Sequence, residues 1–362
     1  MRLLPLNAIV EGSYLGKSIY NEYGNVLLRE NEILTQSRIN NLRLNGFTAV
    51  YIRDEYSNEI IEDIIKPEIK SRARLNLVNT FKTISNLDDS KDVNVRRLNQ
   101  QIKNLSKVAH DIVDELFYEK DLMVNLVDIK SADNYTYMHS LSVGILSLVT
   151  AISMGFNKYD LYDISIGALL HDVGKIFIPN EILNKKDKLT KEEFEIVANH
   201  PKLGFDYLTK NTNLNLNIRR IVLEHHENED GKGYPNQKKS NEVHEYSKVV
   251  AVADVYDALT SNRPYRYGML PNQAIEYMMT LSGTKFNCLL IDSFIKKIVP
   301  YPVGTIIKLS NNKIGKVIEI NKKYPLRPKV QIIKEKFLTN EIIDLLSSKS
   351  MNIIIKDVVY NI

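Results

Sequence analysis

Five of the seven histidines, His139, His171, His200, His225 and His226, fall in one stretch whose apolar residues recur with helical period. A single histidine on an apolar helix face is usually a hydrogen-bonded core residue, but five in one helical block require a fold that accounts for the set. Two of them are adjacent. Neighbouring helical residues point about 100° apart, so His225 and His226 can share a target only at a helix terminus. The run ENEDGKGYP that follows supplies this terminus, because Gly231 and Gly233 break the helix and permit close backbone approach, and Pro235 fixes the loop exit. In ALLHDVGK an apolar helix ends in His171 and Asp172, which delivers an imidazole and a carboxylate to one place. That is a metal-ligand pairing. Asp254, within KVVAVADVYDAL, is a carboxylate in apolar surroundings, costly to bury unless paired or metal-bound. Asp257, one turn later, competes for the same role.

The rest of the chain is patterned in blocks. At 362 residues it has the length of two or three domains. Residues 1–57 read as short alternating strands with a turn at Glu22 to Gly24, a helix near Thr35 to Asn45 and the strand VYIRD, together a small α+β module. Residues 58–130 read as a helical connector, with Ile60, Ile61, Ile64 and Ile65 and later Ile102, Leu105, Val108, Ile112 and Leu116 spaced by three and four. The polar run SNLDDSKDVNVRRLNQ between them reads as a loop. Residues 131–299 continue helical. Thr190 and Glu193 form a capping box that opens a helix, and Pro201 ends or kinks it beside His200. Residues 300–362 alternate in VGTIIKLS, KIGKVIEI, KVQIIKE and MNIIIKDVV, with Asn311 and Asn312 as turn residues, and form a small β domain. The fold class is therefore multidomain and mainly α, with an all-α domain flanked by an N-terminal α+β module and a C-terminal β domain.

Composition narrows the class further. The hydrophobic fraction of 44% and charged fraction of 25% are those of a globular chain. A net charge of +4, from 48 basic and 44 acidic residues, is too small to favour a nucleic-acid polymer as partner. Cys288 is the single cysteine, which excludes an intramolecular disulfide framework. Pro5, Asn7 and Glu11 interrupt any apolar segment at the start, and no run reaches the roughly 18 apolar residues of a spanning helix. A cytoplasmic protein without a membrane span is expected.

Taken in order, His139, HDVGK at 171–175, His200, HHENEDGKGYP at 225–235 and ADVYDALTSNRPYR at 253–266 resemble the HD-GYP domain family across residues 132–299. HD alone is shared by many phosphohydrolases, whereas HHE joined to DGxGYP in one run is specific. The resemblance implies an all-α, HD-type catalytic domain that holds two or three iron or manganese ions and hydrolyses cyclic di-GMP to the linear dinucleotide or GMP. Carried over position by position, it assigns His139, His171 and Asp254 to a first metal and His200, His225 and His226 to a second. Asp172 bridges them as a catalytic residue. Seven N and O ligands suffice for two ions with positions left for water and phosphate, and an imidazole-rich set suits iron, manganese or zinc better than magnesium. Two such ions about 3.5 to 4 Å apart can supply hydroxide near neutral pH and stabilise both oxygens of an in-line displacement.

The same resemblance gives Lys175, Arg263 and Arg266 to substrate phosphate, for which the Arg fork is well shaped. Gly233 and Tyr234 form the loop beside the ligand, where Tyr234 stacks on guanine or meets a partner protein. Asp230 holds that loop. The chain departs from three-metal members at Tyr135, where they carry a carboxylate, so the resemblance implies two metals and pGpG as main product. The alternatives are an HD phosphohydrolase for another nucleotide and a non-catalytic cyclic-dinucleotide receptor that signals through partners. A homodimer is compatible with either.

Overall fold

The computed structural model describes the chain except residues 21–25, 46, 48, 57–63, 87–91, 120–121, 125–134, 186, 262–267 and 361–362, with backbone only at 92–94 and 135–136. Contacts divide it into two units. One comprises Met1–Asp63, Met123–Asp133 and Ile295–Ile362, the other Ile64–Leu122 and Asn134–Phe294.

The first unit is built on antiparallel strands. At its N-terminal end are β1 (Arg2–Pro5), β2 (Tyr14–Leu15), β3 (Ile19–Tyr20), β4 (Val26–Leu28), α1 (Gln36–Leu44) and β5 (Ala49–Arg53). Strands run in the order β1-β5-β2, with Leu4 opposite Val50 and Arg2 opposite Ile52, while β3 pairs with β4. Thr35 caps α1 by accepting from Arg38 N, and Ile39 and Leu42 pack into a cluster with Leu4, Leu15, Val50 and Ile52. The turn expected at Glu22 to Gly24 lies outside the described residues. The C-terminal strands are β6 (Ile306–Leu309), β7 (Ile314–Glu319), β8 (Lys329–Lys334), β9 (Phe337–Asp344) and β10 (Ile355–Val358), in the order β10-β6-β7-β8-β9. Asn312, at φ +64°, turns β6 into β7. β9 escaped the sequence reading because it is an edge strand: Phe337, Leu338 and Ile342 are exposed, so no buried alternation marks it.

The second unit is helical and carries the histidines. Its elements are α2 (Pro67–Ser85), α3 (Asp92–Phe117), α4 (Tyr135–Met154), α5 (Lys158–Leu170), α6 (Asn180–Leu183), α7 (Lys191–Ala198), α8 (His200–Asn211), α9 (Leu216–Glu224), α10 (Glu245–Thr260), α11 (Pro271–Thr280) and α12 (Cys288–Ile295). α4 packs on α5 and α10, α5 on α3 and α9, and α8 on α9. Side chains all round α4, from Leu141 to Val149, are buried, as expected of a central helix. Capping boxes at Asn157 and Thr190 fix the starts of α5 and α7. α7 stops at Ala198, and Pro201 stands in the first turn of a new helix that opens at His200. Among the described residues no helix is long and apolar enough to cross a membrane.

One expectation is overturned. The polar run 85–100 was expected to be a loop, yet α3 begins within it at Asp92. The stripe Ile102–Leu105–Ile112 extends back one turn to Leu98, which has no exposure to solvent. Polar residues on the outer faces hid it. Leu98→Ala should therefore lower stability by about 2–5 kcal/mol in denaturant melts, as a core truncation does. A loop position would change it by less than about 0.5 kcal/mol.

Candidate metal centre

Three of the histidines are set by one device at helix ends. His171 follows the last residue of α5, His200 lies two residues beyond α7, and His225 follows α9. In each, the ring Nδ1–H donates to the carbonyl three residues back, Ala168 O at 2.7 Å, Val197 O at 2.7 Å and Val222 O at 3.0 Å. Helix ends leave carbonyls without intrahelical partners, so these bonds satisfy both sides. They also assign the tautomer and leave each Nε2 as a lone-pair donor. The Nε2 atoms of His200 and His225 face one another at 3.4 Å. Two lone pairs so placed repel unless a cation lies between them. The C-terminal ends of α5, α7 and α9 are also the negative ends of their helices, which favours positive charge here.

His139 rises from inside α4, where backbone carbonyls are engaged by the helix. A carboxylate orients it instead: Asp257 Oδ2 lies 2.8 Å from His139 Nδ1, and Ser261 Oγ donates to the same oxygen at 3.2 Å. His139 Nε2 then faces Asp254 Oδ1 at 3.1 Å. The competition between Asp254 and Asp257 is thus resolved by position, since one faces the cluster and the other stands behind His139.

Asp172 joins the groups. Its Oδ2 lies 3.4 Å from His171 Nε2 and 3.6 Å from His139 Nε2, while Oδ1 lies 3.3 Å from His200 Nε2 and 3.9 Å from His225 Nε2. Donor atoms of Asp172, His200, His225 and His226 all lie within 4.8 Å of one another, as do those of His139, His171 and Asp254. Among the described residues, buried His171 Nε2 and Asp172 Oδ1 have no hydrogen-bond partner. Orphaned buried acceptors of this kind, in an imidazole-rich set, fit a transition metal. Gly174 lets the HDVGK turn close onto α8, because a Cβ there would sit 1.9 Å from His200 O.

Charge is arranged to match. Burial opposes the charge on Asp172, but the Lys175 ammonium, whose Nζ lies 2.6 Å from Oδ2, and the His171 and His200 rings hold its carboxyl well below the usual range. Burial likewise opposes the charge on Asp254, and His139 outweighs it. Burial would lower the pKa of His139, yet Asp254 and Asp257 raise it to about 10. A metal ion at Nε2 must therefore displace a proton. Burial, with His171 and His200 alongside, pushes His225 down to about 3, and burial and His225 push His226 down as well. Those two rings are neutral and ready to ligate.

The loop after His226 folds back over it. A Cβ on Gly233 would lie 2.4 Å from His226 O, so only glycine fits, and the Tyr234 ring centre is 4.6 Å from that of His226. Asp230 Oδ1 accepts from Lys232 N at 3.0 Å, within the loop as expected. Two carboxylates the sequence reading passed over do more. Buried Glu227 accepts from Asn236 N at 2.7 Å and Lys238 N at 3.0 Å, and buried Glu224 accepts from Lys238 Nζ at 2.8 Å and His244 N at 2.9 Å. The signal was present, because both flank the paired histidines at a helix end where an unpaired charge is costly. Arg263 and Arg266 lie outside the described residues, as does the Tyr135 side chain. Asp257→Asn should weaken metal binding about 10- to 100-fold in competition with a chelator, by loosening the His139 ring. Affinity equal to that of the unmodified protein would remove Asp257 from the site.

Comparison with known proteins agrees with this geometry. Residues 122–288 match the HD domain family, and residues 306–358 match a KOW domain associated with HD domains. A cyclic di-GMP phosphodiesterase of Pseudomonas aeruginosa is 35% identical over 228 residues, 62% of this chain and 55% of that one. A cyclic di-GMP phosphodiesterase of Thermotoga maritima is 35% identical over 208 residues, 55% of this chain and 56% of that one. A 3′3′-cGAMP-specific phosphodiesterase of Vibrio cholerae is 33% identical over 173 residues, 46% of this chain and 38% of that one. The chain spans about half the length, or less, of these relatives. Among solved structures, an HDG"Y"P protein from Bdellovibrio bacteriovorus shares the fold, with TM-score 0.53 at 16% identity over 81% of this chain and 98% of that one. Residues 122–288 thus match an HD domain, similar to cyclic dinucleotide phosphodiesterases over this region, and residues 306–358 match a KOW domain associated with HD domains.

Proposed function

We propose that the protein is a metal-dependent phosphodiesterase that opens a cyclic dinucleotide of the cyclic di-GMP type to linear pGpG. The observation that carries this reading is the Asp172 carboxylate, which offers one oxygen to the His139–His171 side and the other to the His200–His225 side. In this reading His139, His171 and Asp254 would hold one ion, His200, His225 and His226 would hold a second, and Asp172 would offer an oxygen to each. Iron or manganese suits the donor set. Such a pair supplies an activated water and neutralises charge on a phosphate in flight.

The reaction adds water across one phosphodiester P–O3′ bond, leaving a 5′-phosphate on one nucleotide and a 3′-hydroxyl on the other. The chain's own groups keep the site in the required state. Asp172 and Asp254 remain ionised well below neutral pH, and His225 and His226 remain neutral. Lys175, about one-third exposed, reaches Asp172 from the open side and is placed to meet a phosphate oxygen there. Burial pushes the Tyr234 phenol up, so it stays neutral beside His226 and can stack on a base. Gly233 allows that approach. Arg263 and Arg266 are assigned to phosphate on the RPYR run alone. In the sequence Tyr135 stands four residues before His139, where the resemblance would call for a carboxylate to hold a third ion, and a tyrosine in that place favours pGpG as the end point. A mixed cyclic dinucleotide is the second reading, favoured by the similarity to a 3′3′-cGAMP-specific enzyme.

Chromatography of cyclic di-GMP after incubation with iron- or manganese-loaded protein should show pGpG accumulating, with about two metals per chain by elemental analysis. Asp172→Ala should abolish turnover and lower metal content while helical circular dichroism persists. Turnover near the wild-type rate in that variant would exclude Asp172 as the bridge.

A further inference from the structure

α7 is an eight-residue helix with no buried residue, yet it carries the large apolar ring of Phe194, which is 51% exposed. Two observations set this ring apart from a scattered surface residue. The first is what it touches. Its centre lies 6.0 Å from that of the Tyr234 ring with the planes at 83°, and Tyr234 in turn lies 4.6 Å from the His226 ring and 6.4 Å from that of His200. A line of rings thus runs from two candidate ligands outward to solvent, and Phe194 is its outer end. Among the described residues of the helical unit, Tyr118, Tyr159, Phe177 and Tyr277 are also exposed, and none of them pairs with a ring that borders a candidate ligand. The second is how α7 is held. The Thr190–Glu193 capping box closes its first turn, Lys185 Nζ lies 2.6 Å from Glu193 Oε2, and the Val197 carbonyl in its last turn accepts from His200 Nδ1 at 2.7 Å. Polar bonds at both ends, one of them to a candidate ligand, fix the helix without burying a face of it, and half of the Phe194 ring stays open. Lys175 already meets the charge of a phosphate, but a phosphate contact does not tell a nucleotide from another phosphodiester.

We propose that Phe194 is a stacking platform for a base of the cyclic dinucleotide, on the solvent side of Tyr234. This rests on the function proposed above and adds to it a specificity residue on α7. Planes at 83° do not sandwich one base, so a base lying flat on Phe194 stands across Tyr234, which walls one side of the platform. Stacking accepts any base through its π-face, so Phe194 favours a base-bearing diester over a phosphate without one.

The chain has no tryptophan, so Phe194→Trp places a single fluorescent reporter at the platform and keeps an aromatic face there. In stopped flow with the metal-loaded full chain, cyclic di-GMP should quench this emission before turnover, and inorganic phosphate should not. Ile196→Trp is the control: Ile196 is also exposed on α7 but lies about 200° round the helix, so a tryptophan there should keep its emission. In steady-state turnover Phe194→Ala should raise KM about 5- to 100-fold, the range for one base–aromatic stack, with kcat and metal content little changed. Phe194→Trp should keep a KM near that of the unmodified protein. No quenching in Phe194→Trp, equal quenching in both tryptophan variants, or an unchanged KM in Phe194→Ala would overturn the assignment and leave hydrolysis by the unmodified protein standing. Unmodified protein that binds cyclic di-GMP without hydrolysing it refutes the enzymatic reading and leaves the quenching comparison decisive. Unmodified protein that does not bind it overturns both.

Discussion

A carboxylate shut away from water stays ionised only where positive charge or hydrogen-bond donors face it, and Asp172 is 1% exposed. The helical unit is organised around that requirement. Lys175 answers one oxygen, and four imidazoles from α4, α5, α8 and the end of α9 surround the two. Those imidazoles have their own difficulty, because rings that point lone pairs at each other within a buried space repel. Coordination of cations would resolve both conflicts at once. The apolar packing of α4, α5 and α10 supplies the rigidity that holds unfavourable neighbours close enough for an ion to join them.

How each ring is aimed follows from where it sits on its helix. Just past a helix end the backbone has carbonyls to spare, so His171, His200 and His225 each donate Nδ1–H to the carbonyl three residues back and need no other support. Inside α4 no such carbonyl is available to His139, and a carboxylate from another helix takes its place. Asp254 and Asp257 lie about one turn apart on α10, close enough for both to reach the same imidazole, one at each nitrogen.

Much of this was legible in the residues themselves. Adjacent His225 and His226 required a helix terminus, and His171–Asp172 at the close of an apolar helix required a metal or a strong partner, and the structure brings these side chains together. The capping box at Thr190 located the start of α7 to the residue, while its end falls at Ala198, before His200 opens the next helix. What escaped depended on information a single strand of sequence does not hold. The start of α3 was hidden because one buried Leu98 among polar neighbours has no local periodicity, and β9 because an edge strand buries neither face fully. The choice between Asp254 and Asp257 needed the position of α4. Glu224 and Glu227 became visible as loop anchors only when Lys238, Asn236 and His244 came back to meet them.

The central claim is that one carboxylate joins two metal ions. Anomalous diffraction from crystals of iron- or manganese-loaded protein, recorded on both sides of the metal absorption edge, tests it directly. The account predicts two peaks about 3.5 to 4 Å apart, with one Asp172 oxygen on each, His139, His171 and Asp254 around one, and His200, His225 and His226 around the other. A single peak, or two peaks with Asp172 bound to only one, would contradict it.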